Sequence, residues 1–244
     1  LPEQSIKIRS SRPRIGQSQH EFTHGSMTMF RKKKQLPELY TEDEMMAVEA
    51  HIAACFGKYE NVFHEIVSPD IHVDICLIDP TPERNHYTLV TMGMGAHRMN
   101  VPKEIRHNKL DRAELLITLP PDWKVRGSDE NHYWPIRWLK ILARLPGEYD
   151  TWLGYGHTVP NGEPFAYDTK LSGVMLTMPY FFGNEASVCK LPGGEEIRFY
   201  QVMPLYEDEM DFKIEYGAEA LEDLFPEEFD LVLDINRKNV VRNK

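Results

Sequence analysis

The sequence predicts an α+β fold in which a mixed or antiparallel β-sheet packs with a central helix and flanking helices. Short apolar, β-branched runs follow one another over 61–119 and again over 173–205 with no helical pattern inside either group. That argues against a doubly wound sheet. The stretch YWPIRWLKILARL (133–145), plotted as a helix, is apolar over most of its circumference and must be covered by other elements. At 244 residues, with 41 % apolar and 11 % aromatic residues, the chain can bury a sizeable core, in one large domain or two small ones.

The first helix is expected from Glu42 to Phe56. Thr41-Glu42-Asp43-Glu44 forms a capping box, the acidic first turn suits the helix dipole, and Gly57 offers a stop. Met45, Val48, Ile52, Cys55 and Phe56 share its apolar face. Strands are expected at 61–68, at 71–78 with Ile71, Val73, Ile75 and Leu77 on one face, at 87–93 before the Gly93-Met94-Gly95 turn, and at 113–119. The central helix is expected to begin near Tyr133, with Pro135 in its first turn, and to close at Pro146-Gly147. Its apolar stripe is Trp134, Trp138, Ile141, Leu142 and Leu145, widened by Ile136, Leu139 and Ala143. Arg137, Lys140 and Arg144 make the polar ridge. The turn Trp152-Leu-Gly-Tyr-Gly-His-Thr158 leads out. Strands at 173–180, 197–205 and a short partner at 187–190 follow, then helices at 207–216 and 218–225 interrupted by Gly217. A last short strand is expected at 231–235.

The net charge of −10 is unevenly distributed. Residues 1–34 hold eight Lys/Arg against two Asp/Glu, and the other 210 hold 20 basic against 36 acidic residues. A body this acidic repels nucleic-acid phosphates and suits a basic protein partner. The first 34 residues lack apolar periodicity and read as a disordered basic tail, and 237–244 reads as a short basic tail. Met27 and Met29 lie just before the domain, so residues 1–26 are open to being an upstream reading of the gene or a remnant of a longer protein. No apolar run of membrane-spanning length and no signal-like segment is present, so the expected compartment is the cytoplasm, with no membrane partner. Cys55, Cys76 and Cys189 are expected as buried free thiols.

His20-Glu-Phe-Thr-His24 matches the HExxH zinc pattern, but that motif needs a buried helix and the flanks here are Gln/Ser/Gly. No metal or cofactor is expected. His72 and Asp74 share a strand face and, with His64 or His86, could form an acid–base pair or metal site. The competing structural reading is a hydrogen-bonded face. His157, following the glycine turn with Trp152 and Tyr155, is the best-placed single histidine. The segment 195–230 holds 13 acidic residues and only Arg198 and Lys213 as cations. Within it, Tyr206 beside Glu207, Asp208, Glu209 and Asp211 reads as an acidic, aromatic-anchored docking surface, or else as a solvated helix face.

WPIRWLKILARLPGEYDTWLGYGHTVPNG, EIRFYQVMPLYEDEMDFKIEYGAEALEDLF, HVDICLI and YTLVTMGMGAHRMNVP together resemble the suppressor-of-fused domain family in its bacterial form. The resemblance spans roughly Leu36 to Asp234. It implies a single domain over 35–236 that binds proteins without catalysis. Bacterial members are often associated with toxin loci as immunity proteins. The animal namesake's second domain is expected to be absent, since only a short tail follows Asp234. The expectation is therefore a non-catalytic binder of a basic protein, with a toxin as one such partner. The candidate contacts are Trp152, Tyr155, His157, Tyr206, Glu207, Asp208, Glu209 and Asp211. The rival readings are an enzyme using the 152–157 turn or the His72/Asp74 face, and a cytoplasmic adaptor unrelated to toxins.

Overall fold

The computed structural model describes residues 37–65, 70–127 and 129–242. The HExxH match, the basic segment 1–34, the end of the strand expected at 61–68 and the last two residues lie outside the described residues. Helix α1 (Glu42–Cys55) starts at the expected cap: Glu44 N–H donates to Thr41 Oγ1 (3.3 Å) and Thr41 N–H to Glu44 Oε2 (3.0 Å). Strands β1 (Asn61–Phe63), β2 (Asp74–Ile78), β3 (Tyr87–Met92) and β4 (Ala113–Leu119) form an antiparallel meander. Helix α2 (Glu130–Tyr149) follows, then β5 (Thr158–Pro160), β6 (Gly173–Thr177), β7 (Val188–Lys190) and β8 (Glu196–Leu205). Helices α3 (Glu207–Tyr216) and α4 (Ala218–Glu222) come last.

The eight strands make one mixed sheet in the order β1-β2-β3-β4-β8-β6-β5, with β7 on β8. The β4–β8 pairing is parallel and every other pairing is antiparallel. Alternating residues of β8 divide the core. Tyr200 and Val202 face the α2 side. Ile197 and Phe199 face α1, and Met203 and Leu205 on that same side face α3 and α4. The sheet is thus covered on one face by α2 and on the other by α1 and by the α3–α4 pair, at opposite ends of β8.

Helix α2 begins before Tyr133, because Asp129 supplies the cap by accepting from Asn131 N–H (3.1 Å). Both Pro135 and Pro146 therefore lie inside the helix and not at its ends. Packing offsets the lost backbone bonds: Trp134 is fully buried and stacks on Phe165 with centroids 4.5 Å apart, and Trp138 meets the same ring edge-on. The helix ends at Asp150, which takes the left-handed conformation, φ 49°. Two details of its faces differ from expectation. Ile141 is exposed and joins the ridge. Arg144 leaves that ridge to pair with Glu65, and it reaches Asp70 (3.2 Å) and the Ile71 carbonyl (3.2 Å).

The other departures are local. Strand β5 was not anticipated, being three residues long directly after the glycine turn. The strand expected at 231–235 is reduced to a single bridge between Val232 and Thr118. Beyond 236 the chain packs against α3, because Arg237 pairs with Glu209 and Arg242 with Asp208.

A buried carboxylate joins α1 to the sheet. Glu114, on β4 and fully buried, accepts from the Tyr40 hydroxyl, from Thr91 Oγ1 and from the backbone N–H groups of Gly93 (2.8 Å) and Gly95 (3.1 Å). A side chain at Gly93, φ 124°, would put its Cβ 1.9 Å from the His72 carbonyl oxygen, so only glycine fits there. Two residues earlier, Arg112 donates to the Gly95 carbonyl (2.6 Å), Glu44 and Glu195 (2.7 Å).

Two classes of α2 substitution should separate in denaturant unfolding. Trp138→Ala is expected to cost about 3–5 kcal/mol as a large-to-small core change. Arg144→Ala should cost about 3–5 kcal/mol by stranding the largely buried Glu65. Lys140→Ala should cost under about 1 kcal/mol. Equal small losses for Arg144→Ala and Lys140→Ala would show that the Glu65 pair does not hold the helix.

Candidate functional site

The predicted contact residues divide into two places. Trp152 and His157 lie beneath the surface, 8 % and 7 % exposed, packed on each other with ring centroids 4.3 Å apart. Neither presents a side chain to solvent, so the expected ligand loop is a packed turn at these two residues. Burial, with the Lys213 charge, pushes His157 down to about 4, and its Nδ1 has no hydrogen-bond partner among the described residues. A ring held neutral and shielded by indole cannot exchange protons with a substrate in solvent. Tyr155 is half-buried, its hydroxyl donating to Glu222 (2.8 Å); burial and that carboxylate raise it well above the usual tyrosine range.

The His72/Asp74 face is a hydrogen-bonded cluster. Asp74, nearly buried, accepts from Glu65 N–H (2.9 Å), and His64 Nδ1 (3.0 Å) and His72 Nε2 (3.2 Å) approach its two oxygens. Those ring nitrogens are aimed at the carboxylate and not at a common point. His86 is elsewhere, packed against Phe182. No group of three or more His, Cys, Asp or Glu side chains that could hold a metal occurs among the described residues.

The second place is a groove of about 680 Å³ beside α3. One wall is α3 with its cap, carrying Tyr206, Glu207, Asp208, Asp211 and Ile214. The opposite wall is the segment from Pro160 to Ser172, and Asn239 with Arg242 closes one end. Local sequence builds the wall: Tyr206 N–H donates to Glu209 Oε2 (3.0 Å) at the cap, and Gly217, φ 95°, ends the helix. Glu209 is fully buried and cannot meet a partner as expected. It accepts instead from Arg237, from Val240 N–H (3.0 Å) and from the cap. The Arg237 guanidinium lies between the rings of Tyr206 and Phe225, 5.0 and 5.1 Å from their centroids. Tyr206 is consequently half-buried, with its hydroxyl donating to the Arg237 carbonyl. Asp208 is half-buried and paired with Arg242, whose guanidinium holds its carboxyl below the usual range. Glu207, Asp211 and Ile214 are exposed.

Of the acidic segment, then, Glu209 and Glu222 are used internally, and Glu207 and Asp211 face the groove. Sequence reasoning missed Arg237, and Lys170, which lines the groove, as parts of this region. Arg237 looked like a tail residue, and its pairing with Glu209 crosses 28 positions.

A sheet carried on β4–β8, covered by one helix on one face and three on the other, defines a recognisable class. The model of the Suppressor of fused protein (SUFU) matches residues 69–238, and the chain belongs to that family. A suppressor of fused homolog from Neisseria gonorrhoeae has a similar crystal structure, with TM-score 0.60 and 21 % identity, covering 81 % of this chain and 97 % of that one. The crystal structure of the Sufu–Fu complex aligns at TM-score 0.60 and 14 % identity over 85 % of this chain and 95 % of that one. Drosophila Suppressor of Fused aligns at TM-score 0.57 and 13 % identity over 82 % of this chain, which spans only 52 % of that protein. An uncharacterized protein of Ureaplasma parvum is 24 % identical over 206 residues, 83 % of this chain and 98 % of the relative. No helix among the described residues is long and apolar enough to cross a membrane.

Two measurements probe the region. Arg237→Ala should cost about 3–5 kcal/mol by leaving Glu209 uncompensated in the interior, whereas Arg242→Ala at the exposed Asp208 pair should cost under about 1 kcal/mol. Matching losses for the two would mean that Arg237 is not the buried partner of Glu209. For His157 the folded value, about 4, lies below the ordinary 6.5. The unfolded chain therefore takes up the proton first, and stability present above pH ~6.5 is lost as pH falls toward ~4, by up to roughly 3 kcal/mol. His157→Gln should remove that part of the slope of urea midpoint against pH; an unchanged slope would place the loss at other histidines.

Proposed function

We propose that this chain is a non-catalytic protein-binding domain whose groove beside α3 receives a basic segment of a protein partner. The observation that carries the reading is the groove itself. Three of the anticipated acidic contacts, Glu207, Asp208 and Asp211, line one concave surface beside Tyr206 and the exposed apolar Ile214. Charge at the rim steers a cationic partner, and an apolar side chain beside it slows departure. Membership of a family in which Sufu is solved in complex with Fu supports protein binding as the mode. His157 is packed beneath Trp152, and His64 and His72 are both turned onto Asp74; together with the family match this supports binding over catalysis.

The partner we favour is a basic toxin that acts on nucleic acid, with this chain as its immunity protein. The acidic body of a chain with net charge −10 complements such a protein and repels the nucleic acid it would bind. The free thiols of Cys55, Cys76 and Cys189 support a cytoplasmic location. The unit proposed to carry the function begins near residue 35, with the basic segment 1–34 outside it.

The experiment is to identify the protein that co-purifies from the native host and measure its kinetics on immobilised chain at two salt concentrations. Glu207→Gln with Asp211→Asn should slow association about three- to tenfold at low salt, and the effect should shrink near 1 M, where the Debye length is about 3 Å. Ile214→Ala should speed dissociation with little salt dependence. Association untouched by the double substitution would remove the groove from the interface.

A further inference from the structure

Aromatic residues gather at a second, smaller cavity on the same face of the sheet, about 140 Å³, between the 3-10 turn Tyr180–Phe182 and the chain after α4. Three aromatics stand in a row in that turn, and Phe182 anchors it in the core. Phe182 packs edge-on against Phe56, 4.9 Å between centroids, within the α1 core. Tyr180 and Phe181 are left 59 % and 55 % exposed at the cavity mouth. Phe225 and Phe229 line it as well, their rings 4.5 Å apart and tilted 33°. Met203 and Leu231 also line it.

This apolar cavity also contains a carboxylate. Glu222 lines it, oriented by the Tyr155 hydroxyl (2.8 Å) on one oxygen and by Thr177 Oγ1 on the other. Each carboxylate oxygen accepts more than one hydrogen bond, so both keep capacity for a further donor. Burial, with the negative charges of Glu222 and Glu219, also pushes the Tyr180 hydroxyl above its ordinary value. Aromatic faces and a fixed carboxylate attract the same chemistry: an alkyl stem ending in a positive charge, its methylenes on the rings and its head on the acid.

We infer that this cavity is a receptor for a single lysine side chain presented by the protein partner, a pocket separate from the α3 groove and reading one residue of the same ligand. The inference rests on the protein-binding reading above and adds a point of specificity to it. The groove attracts charge over a distance and does not distinguish one cation from another. A pocket of this size, with an aromatic entrance, admits one straight alkylammonium and discriminates against acidic and branched side chains.

The test needs no partner. Butylammonium, the lysine side chain without its backbone, is titrated into the full chain while the methyl resonances of Met203 and Leu231 are followed by NMR, with 1-butanol as the neutral isostere. Saturable shifts of both methyls with a dissociation constant in the millimolar range are expected for so small a ligand, at least about tenfold tighter than for 1-butanol. Glu222→Gln should remove most of that preference. Phe181→Ala, at an exposed position that does not carry the fold, should weaken butylammonium several-fold while leaving the melting temperature unchanged. Equal affinity for the alcohol, absence of shifts at 100-fold the protein concentration and beyond into the tens of millimolar, or indifference to both substitutions would each overturn the lysine pocket. Those outcomes leave the salt-dependent association at the α3 groove standing. Conversely, loss of the groove effect would not alter the butylammonium titration.

Discussion

The fold depends on one carboxylate kept out of water. Glu114 is the second residue of a strand whose every residue is buried, where an unsatisfied charge would be prohibitive. It survives because four donors converge on it from two separate pieces of chain: Tyr40 ahead of α1, and the stretch that carries Thr91 on β3 and the two glycine amides of the 93–95 turn. Burial still raises its pKa despite those donors. Arg112, immediately ahead of β4 and two residues before Glu114, repeats the device with opposite charge. It draws in the α1 capping residue Glu44, the Gly95 carbonyl and Glu195 at the β7–β8 turn. The start of α1, the end of β3 and the entry to β8 are therefore fixed relative to one another by two side chains at the entry to β4.

The same arrangement is repeated at the far end of β8. There Glu209 is the buried acid and Arg237 the cation, and the rings of Tyr206 and Phe225 enclose the guanidinium. This second pair closes the C-terminal segment over α3 and so shapes the end wall of the acidic groove. It also explains why a segment so rich in acid is stable beside itself: some of its carboxylates are internal ligands, and the repulsion falls on fewer of them than the count suggests.

Much of the fold was legible because its signals are local. The Thr41–Glu44 box set the start of α1, the apolar run with Pro120 behind it set both ends of β4, and Gly217 divided α3 from α4, all within a few residues of the feature each specifies. The failures share a different cause. The α2 start was placed late because Pro135 reads as a first-turn residue, whereas packing of Trp134 and Trp138 outweighs an interior proline and Asp129 supplies a cap upstream. Ile141 was assigned inward by periodicity alone, which cannot tell which part of a broad apolar arc meets the sheet. Of the candidate contacts, the Glu207–Asp211 side was legible as charge beside aromatics. The burial of Trp152, His157 and Glu209 was not, since each is covered or paired by residues remote in sequence.

The parallel seam between β4 and β8 governs how such a chain can assemble. The β1–β4 meander can zip from neighbouring turns, and β6 with β5 can do the same. Strand β8 can meet β4 only after α2, β5, β6 and β7 have been made, so the seam closes a long loop, the slow and entropically costly kind of contact. A chain emerging from the ribosome would hold an unpaired β4 edge through all of that synthesis. α2, which comes next and lies across β3 and β4, is the element positioned to cover their apolar face in the interval.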